Sequence, residues 1–138
     1  MLFRSDRVRC LLTSWNHRGI KRIHSGPRLN LWRATTDNDR SWDNAKPWRD
    51  ARLDAIQHRG CGLEIAEGNA GAIVIRTVVR SGPPALDFAY RCQIDFTIHG
   101  DGTVHVNTQG TPEGEWKSPT VPRLGLTMEL PLACDQFE

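Results

Sequence analysis

The sequence predicts an all-β, mainly antiparallel chain, and three observations predict it. Tyr90, Cys92, Ile94, Phe96 and Ile98 alternate with Arg91, Gln93, Asp95, Thr97 and His99, a period of two that puts one set on each face of a strand. From residue 61 onward, strand-length runs are punctuated by glycine, proline and asparagine. Only residues 48–58 carry a helical spacing, with Trp48, Ala51, Arg52, Ala55 and Ile56 on one stripe. Strands divided by turn signals, with one short helix, imply an antiparallel β-sandwich in a single domain over residues 1–138.

Taken in order, Val8 to Trp15 reads as a strand, Asn16-His17-Arg18-Gly19 as a turn, and Ile20 to His24 as the returning strand. Ser25-Gly26-Pro27 is a break before the short apolar run Leu29 to Ala34. Thr35 to Ser41 is a loop of residues that hydrogen-bond their own backbone. The helix over 48–58 starts near Pro47, tolerated in a first turn, and stops before Gly60. Leu63 to Glu67, Ala72 to Arg80 and Tyr90 to Ile98 follow as strands. Gly100-Asp101-Gly102 is a hairpin turn into Thr103 to Thr108, Glu113 to Thr120 is a loop, and Leu124 to Leu130 is a last strand.

With 138 residues, 38% hydrophobic and 25% charged, the chain is long enough for one core and too apolar for disorder throughout. No run approaches the roughly 20 apolar residues of a membrane span. The start, with Arg4, Asp6, Arg7 and Arg9 among its apolar residues, lacks a signal-peptide pattern, so a cytoplasmic location is expected. Cys10, Cys61, Cys92 and Cys134 form no CxxC pair and are read as buried or half-buried free thiols. The first 50 residues are net basic and the rest net acidic, but the basic residues are scattered. They imply a solvated surface or an interface, with no nucleic acid and no membrane as partner.

The densest polar cluster is Arg33-Ala34-Thr35-Thr36-Asp37-Asn38-Asp39-Arg40. It lacks the alternate ligands and distal glutamate of a calcium loop. Asp37 and Asp39 share one short loop, whereas glycosidase carboxylates flank a sugar from opposite walls about 5–9 Å apart. A loop pinned by local bonds and Arg–carboxylate pairing is therefore the first expectation. Trp32, Trp42 and Trp48 surround this loop. They are read as core or interface anchors, with a sugar-stacking platform as the alternative. His99 and His105 flank one hairpin on polar faces, and no metal set is evident. No GxSxG serine, reactive-thiol motif or phosphate loop occurs.

The stretch Gly26-Pro27-Arg28-Leu29-Asn30-Leu31-Trp32-Arg33-Ala34-Thr35-Thr36-Asp37-Asn38-Asp39 resembles the start of the β-galactosidase small-chain domain of glycoside hydrolase family 2. Trp48 to Leu53, the strand Tyr90 to Ile98, Gly100-Asp101-Gly102 and Pro122-Arg123-Leu124-Gly125-Leu126 are similar to later family segments, in order. Thr35 stands where the family has proline and Arg52 where it has glycine. The resemblance ends at Phe137-Glu138, in the N-terminal part of the family's sandwich.

The resemblance implies a galactose mutarotase-like sandwich, present in part, whose open half leaves sheet edges and an apolar face uncovered. It implies a non-catalytic structural and assembly part of a β-galactosidase that, complete, hydrolyses terminal β-D-galactosides in lactose catabolism. It also implies inactivity of this fragment alone. Trp32, Arg33, Asp37, Asn38, Asp39, Trp42 and Trp48 are the expected carbohydrate-binding or domain-interface residues, none of them catalytic. The expected partners are the β-galactosidase large chain or barrel domain, the galactoside in the complete enzyme, and a second copy in a homo-oligomer. No cofactor or metal is expected in this chain; the complete enzymes of the family use Mg and Na ions bound elsewhere. The alternatives are a free-standing carbohydrate-binding module and, less favoured, a mutarotase-like enzyme using His99 and His105.

Overall fold

A computed structural model describes residues 2–41, 43–116 and 118–132. The strands are β1 (Leu2–Asp6), β2 (Leu11–His17), β3 (Ile20–Ile23) and β4 (Ser25–Asn30), then β5 (Gln57–Glu67), β6 (Ile73–Gly82), β7 (Ala89–Ile98), β8 (Val104–Glu113) and β9 (Gly125–Glu129). Two short helices, α1 (Asp37–Ser41) and α2 (Ala45–Asp50), lie between β4 and β5. Every strand pairing is antiparallel. The order is β1-β2-β3 in one sheet, β4-β9 in a second and β5-β6-β7-β8 in a third.

The four-stranded sheet organises the rest. Along β7 the alternation read from the sequence is physical: Cys92, Ile94, Phe96 and Ile98 are buried, while Arg91 points outward. On the inner face, Ile75, Ile94, Phe96 and Ile98 pack with Leu12 of β2, joined by Phe3 and Trp15, whose rings stack at 5.5 Å. Further along, Cys92 and Phe88 pack with Leu29 and Leu31 of the β4 segment and with Trp48 and Leu53. Each such large side chain contributes about 1.5–3 kcal/mol by leaving water. The outer face is polar. Arg76 grips Asp95 of the neighbouring strand through two bonds of 2.9 and 3.2 Å.

The helix expected over 48–58 is corrected. The helical turn occupies Ala45–Asp50, a 3-10 turn covers Leu53–Ala55, and β5 begins at Gln57. Arg52 explains the stop, because its backbone is left-handed (φ 52°, ψ 38°) and cannot continue a helix. β5 then runs eleven residues, through a bulge between Gly60 and Gly62. A side chain at Gly60 has no room, since its Cβ would lie 2.8 Å from the Cys10 sulfur. Glu113, expected in a loop, is the last residue of β8.

One side of the structure stays open. Within these sheets β8 pairs only with β7 and β9 only with β4, so each presents a free edge. Between them lies an apolar slot of about 180 Å³ lined by Leu29, Cys92, Thr108, Leu124 and Leu126. On this side Val106, Leu124 and Met128 are 47%, 60% and 46% exposed.

Candidate functional site

The polar segment after β4 is built around Arg33. Leu31 is fully buried and anchors the chain just before it. Trp32 is half-buried against the same cluster, and its N–H donates to Asn30 Oδ1 at 3.0 Å. Arg33 then reaches four ways. Its Nη1 donates to Asp39 Oδ2 at 2.6 Å and its Nη2 to Asp39 Oδ1 at 3.1 Å, a planar fork on a carboxylate. Nη1 also donates to the Ala34 carbonyl. Nε donates to the carbonyl of Pro122 at 3.0 Å, and the guanidinium lies 5.4 Å from the Trp48 ring centre.

Asp39 is the other half of this clamp. It is buried, and it also accepts from the N–H and hydroxyl of Thr36 at 2.7 and 2.9 Å. That Thr36–Asp39 pairing satisfies a donor at the start of α1. The Arg33 fork, followed by the Thr36 N–H, holds the Asp39 carboxyl well below the usual aspartate range. The same bond raises the Arg33 guanidinium. With three donors on Oδ2 and one on Oδ1, most of the carboxylate's acceptor capacity is committed inside the loop-to-helix turn.

Trp48 is buried at 5% exposure, and its indole N–H donates to Thr120 Oγ1 at 3.0 Å. Arg33 and Trp48 thus tie residues 33–48 to the 120–122 segment. Asp37 and Asn38 point outward; the Asp37 side chain is 96% exposed and lies 3.6 Å from Arg40. Trp42 lies outside the described residues. The structure therefore brings Arg33, Asp39 and Trp48 together, seats Trp32 beside them on the core, and leaves Asp37 and Asn38 on the surface. Thr36, Thr120 and Pro122 complete the arrangement and were not among the sequence candidates. Thr36 carried a signal, a threonine three residues before an acid, whereas Thr120 and Pro122 carried none.

Elsewhere, the His99 and His105 rings meet edge to face at 5.3 Å. Among the described residues no group of three His, Cys, Asp or Glu side chains is placed to hold a metal. Cys10 and Cys92 are buried free thiols; Cys61 is a free thiol too but exposed, contrary to expectation, because it sits on the bulge of β5. Cys134 lies outside the described residues.

These features define an all-β sandwich protein with an internally braced polar loop. The family described as beta galactosidase small chain matches residues 2–138, and the chain belongs to that family. It is 26% identical over 136 residues to a beta-galactosidase of Priestia megaterium, covering 96% of this chain and 12% of that protein. It is 28% identical over 137 residues to a beta-galactosidase of Vibrio cholerae, covering 93% of this chain and 13% of that protein. The chain thus spans about an eighth of the length of these relatives. No solved structure matches it.

Proposed function

We propose that this chain is a structural and assembly part of a β-galactosidase, packing against a barrel domain or large chain that supplies the reaction. The observation that carries this reading is the open side between β8 and β9. There two free strand edges flank an apolar slot, with Leu124 60% and Met128 46% exposed. Apolar surface and unpaired backbone of this kind are stabilised by being covered. The exposed Asp37 and Asn38, presented by the first turn of α1 that Arg33 and Asp39 brace, form a polar part of the interface, with Trp32 and Trp48 packed in the core beside them.

In this reading the complete enzyme hydrolyses terminal β-D-galactosides, as in lactose use, by a retaining pair of carboxylates supplied outside this chain. The engaged state of Asp39 supports that division. Mg and Na ions belong to the complete enzyme, and this chain contributes no ligand to them. The work is cytoplasmic, in keeping with free thiols at Cys10, Cys61 and Cys92. No described helix is long and apolar enough to cross a membrane.

Complementation tests the proposal. The purified chain is mixed with a β-galactosidase lacking the corresponding segment, and release of a chromogenic aglycone is followed. Activity is expected only in the mixture. Galactose release by the chain alone, or no gain on mixing with no complex formed, overturns the reading.

A further inference from the structure

We propose that the outer face of the β5–β8 sheet docks an acidic polypeptide segment, through a row of arginines that the strand register assembles. Arg59 of β5 stands directly across from Arg80 of β6, and Arg80 directly across from Arg91 of β7. Thr111 of β8 ends the row. The neighbours Val79 and Cys92 are buried on the core side, so the arginines share the opposite, solvent side of the sheet. The inference goes beyond the assembly reading, which uses the free edges of β8 and β9 and the slot between them, and does not rest on it.

Like charges directly opposite each other on neighbouring strands destabilise a sheet. Among the described residues, the ion pairs of this row are those of Glu113, at 3.3 Å from Arg80 and 3.9 Å from Arg91. Three guanidinium groups thus share one carboxylate. Arg80 is largely committed: its Nε donates to Glu113 and its Nη2 to the Asp87 carbonyl at 2.6 Å. The two ends of the row are not. The 3.9 Å approach of Arg91 to Glu113 is too long for a hydrogen bond, and its side chain is 51% exposed. Arg59 is exposed as well. A carboxylate arriving at either end relieves the repulsion and gains a forked, charge-assisted pairing.

The layout selects among anions. Adjacent strands lie about 4.8 Å apart, so the backbones of Arg59 and Arg91 are about 10 Å apart and do not converge on one small anion such as phosphate. Two carboxylates carried on one segment match that spread. Beside Arg91 a hollow is lined by Gln93, Gln109 and Thr111, uncharged groups able to bond the amides and carboxylates of a peptide. A nucleic acid is disfavoured by the next charged row. There Glu64 faces Arg76 and Arg76 faces Asp95, which holds it through two bonds. A long polyanion crossing this face meets Glu64 and Asp95, whereas a short acidic segment is confined to the arginine row.

The test uses the whole chain and a fluorescein-labelled peptide of glutamate, glycine and serine, read by fluorescence anisotropy. Inorganic phosphate and a single-stranded oligonucleotide serve as competitors. The peptide is expected to bind saturably and more weakly as salt rises, and its glutamine counterpart not to bind. Arg59→Gln and Arg91→Gln are expected to weaken binding about two- to fivefold each, while Lys21→Gln, on β3, leaves it unchanged. Arg59→Glu sets an opposite charge across from Arg80, and is expected to raise the melting temperature while lowering affinity, a combination that damage to the fold does not produce. No binding, displacement by the oligonucleotide or phosphate at concentrations where the peptide binds, or equal losses in the Lys21 and arginine variants overturns the proposal. The complementation experiment depends on none of these results, so failure of one reading is distinguishable from failure of the other.

Discussion

Arg33 and Asp39 face each other through two parallel hydrogen bonds, Nη1–Oδ2 at 2.6 Å and Nη2–Oδ1 at 3.1 Å, while the Nε of the same guanidinium holds the Pro122 carbonyl. One side chain thus joins the polar loop to a segment 89 residues further along.

Replacing that fork separates charge from geometry. Arg33→Lys keeps a positive charge but cannot bind the carboxylate in two places and Pro122 at once. The melting temperature is expected to fall by several degrees, with Asp39→Asn giving a similar drop and the double variant little more than either. Additive drops in differential scanning calorimetry would show that the two do not act as one unit.

Acid sensitivity follows from the same pair. Asp39 is lowered from the ordinary 3.8 by the Arg33 fork, Asp95 by Arg76, and Asp101 by the Thr103 N–H. A depressed carboxyl contributes stability that is fully present above 3.8 and disappears as pH falls through its folded value. Burial lowers His58 below 6.5, so its contribution is present above 6.5 and is lost as pH drops below that. Urea midpoints against pH should show a shallow decline beginning near 6.5 and a steep one beginning below 4. His58→Gln should flatten the first and Asp39→Asn should weaken the second.

Trp48 offers a graded test of the brace. Trp48→Phe removes the bond to Thr120 but keeps most of the buried ring, and is expected to cost about 0.5–1.5 kcal/mol. Trp48→Ala also opens a cavity and is expected to cost about 3–5 kcal/mol. Equal losses in chemical denaturation would mean that the indole N–H carries nothing.

Gly102 sits in the β7–β8 turn with φ +98°, and a Cβ there would come within 2.8 Å of the His17 Nδ1 and Nε2 atoms. Gly102→Ala is expected to destabilise by about 1–2 kcal/mol or more, from backbone strain plus collision. Adding His17→Ala should recover the collision part and leave the strain. No recovery would place the whole cost in the backbone.

The open side predicts self-association. Sedimentation velocity on the isolated chain should show weight-average mass rising with concentration, and Met128→Lys with Leu130→Lys should suppress the rise. A concentration-independent monomer with unchanged behaviour in the double variant would count against an exposed sticky edge.

Much of this architecture was legible in the sequence, for local reasons. Tyr90 to Ile98 showed its two faces because one packs on Leu12 and the other meets water. The Arg33–Asp39 pairing was readable, since carboxylate and guanidinium lie six residues apart, but Thr35 to Ser41, read as a loop, turns into the helix α1 from Asp37 onward. β5 was hidden. Its first residues follow a helical spacing that Arg52 breaks by adopting φ 52°, and a left-handed arginine gives no compositional warning. Thr120 and Pro122 were hidden too, because their partners Trp48 and Arg33 are 72 and 89 positions away and only the folded sheets bring them together.

The pairing of β4 with β9 joins Ser25 to Glu129 and Asn30 to Gly125. A ribosome making this protein has therefore long since released β4 when its mate is still unsynthesised. The β5–β8 meander needs only near neighbours and is free to form first. The second sheet, and with it the Pro122 arm of the Arg33 clamp, must wait until residues 122–129 have been translated. During that interval Leu29 lacks Leu126, the residue it faces across the finished pair.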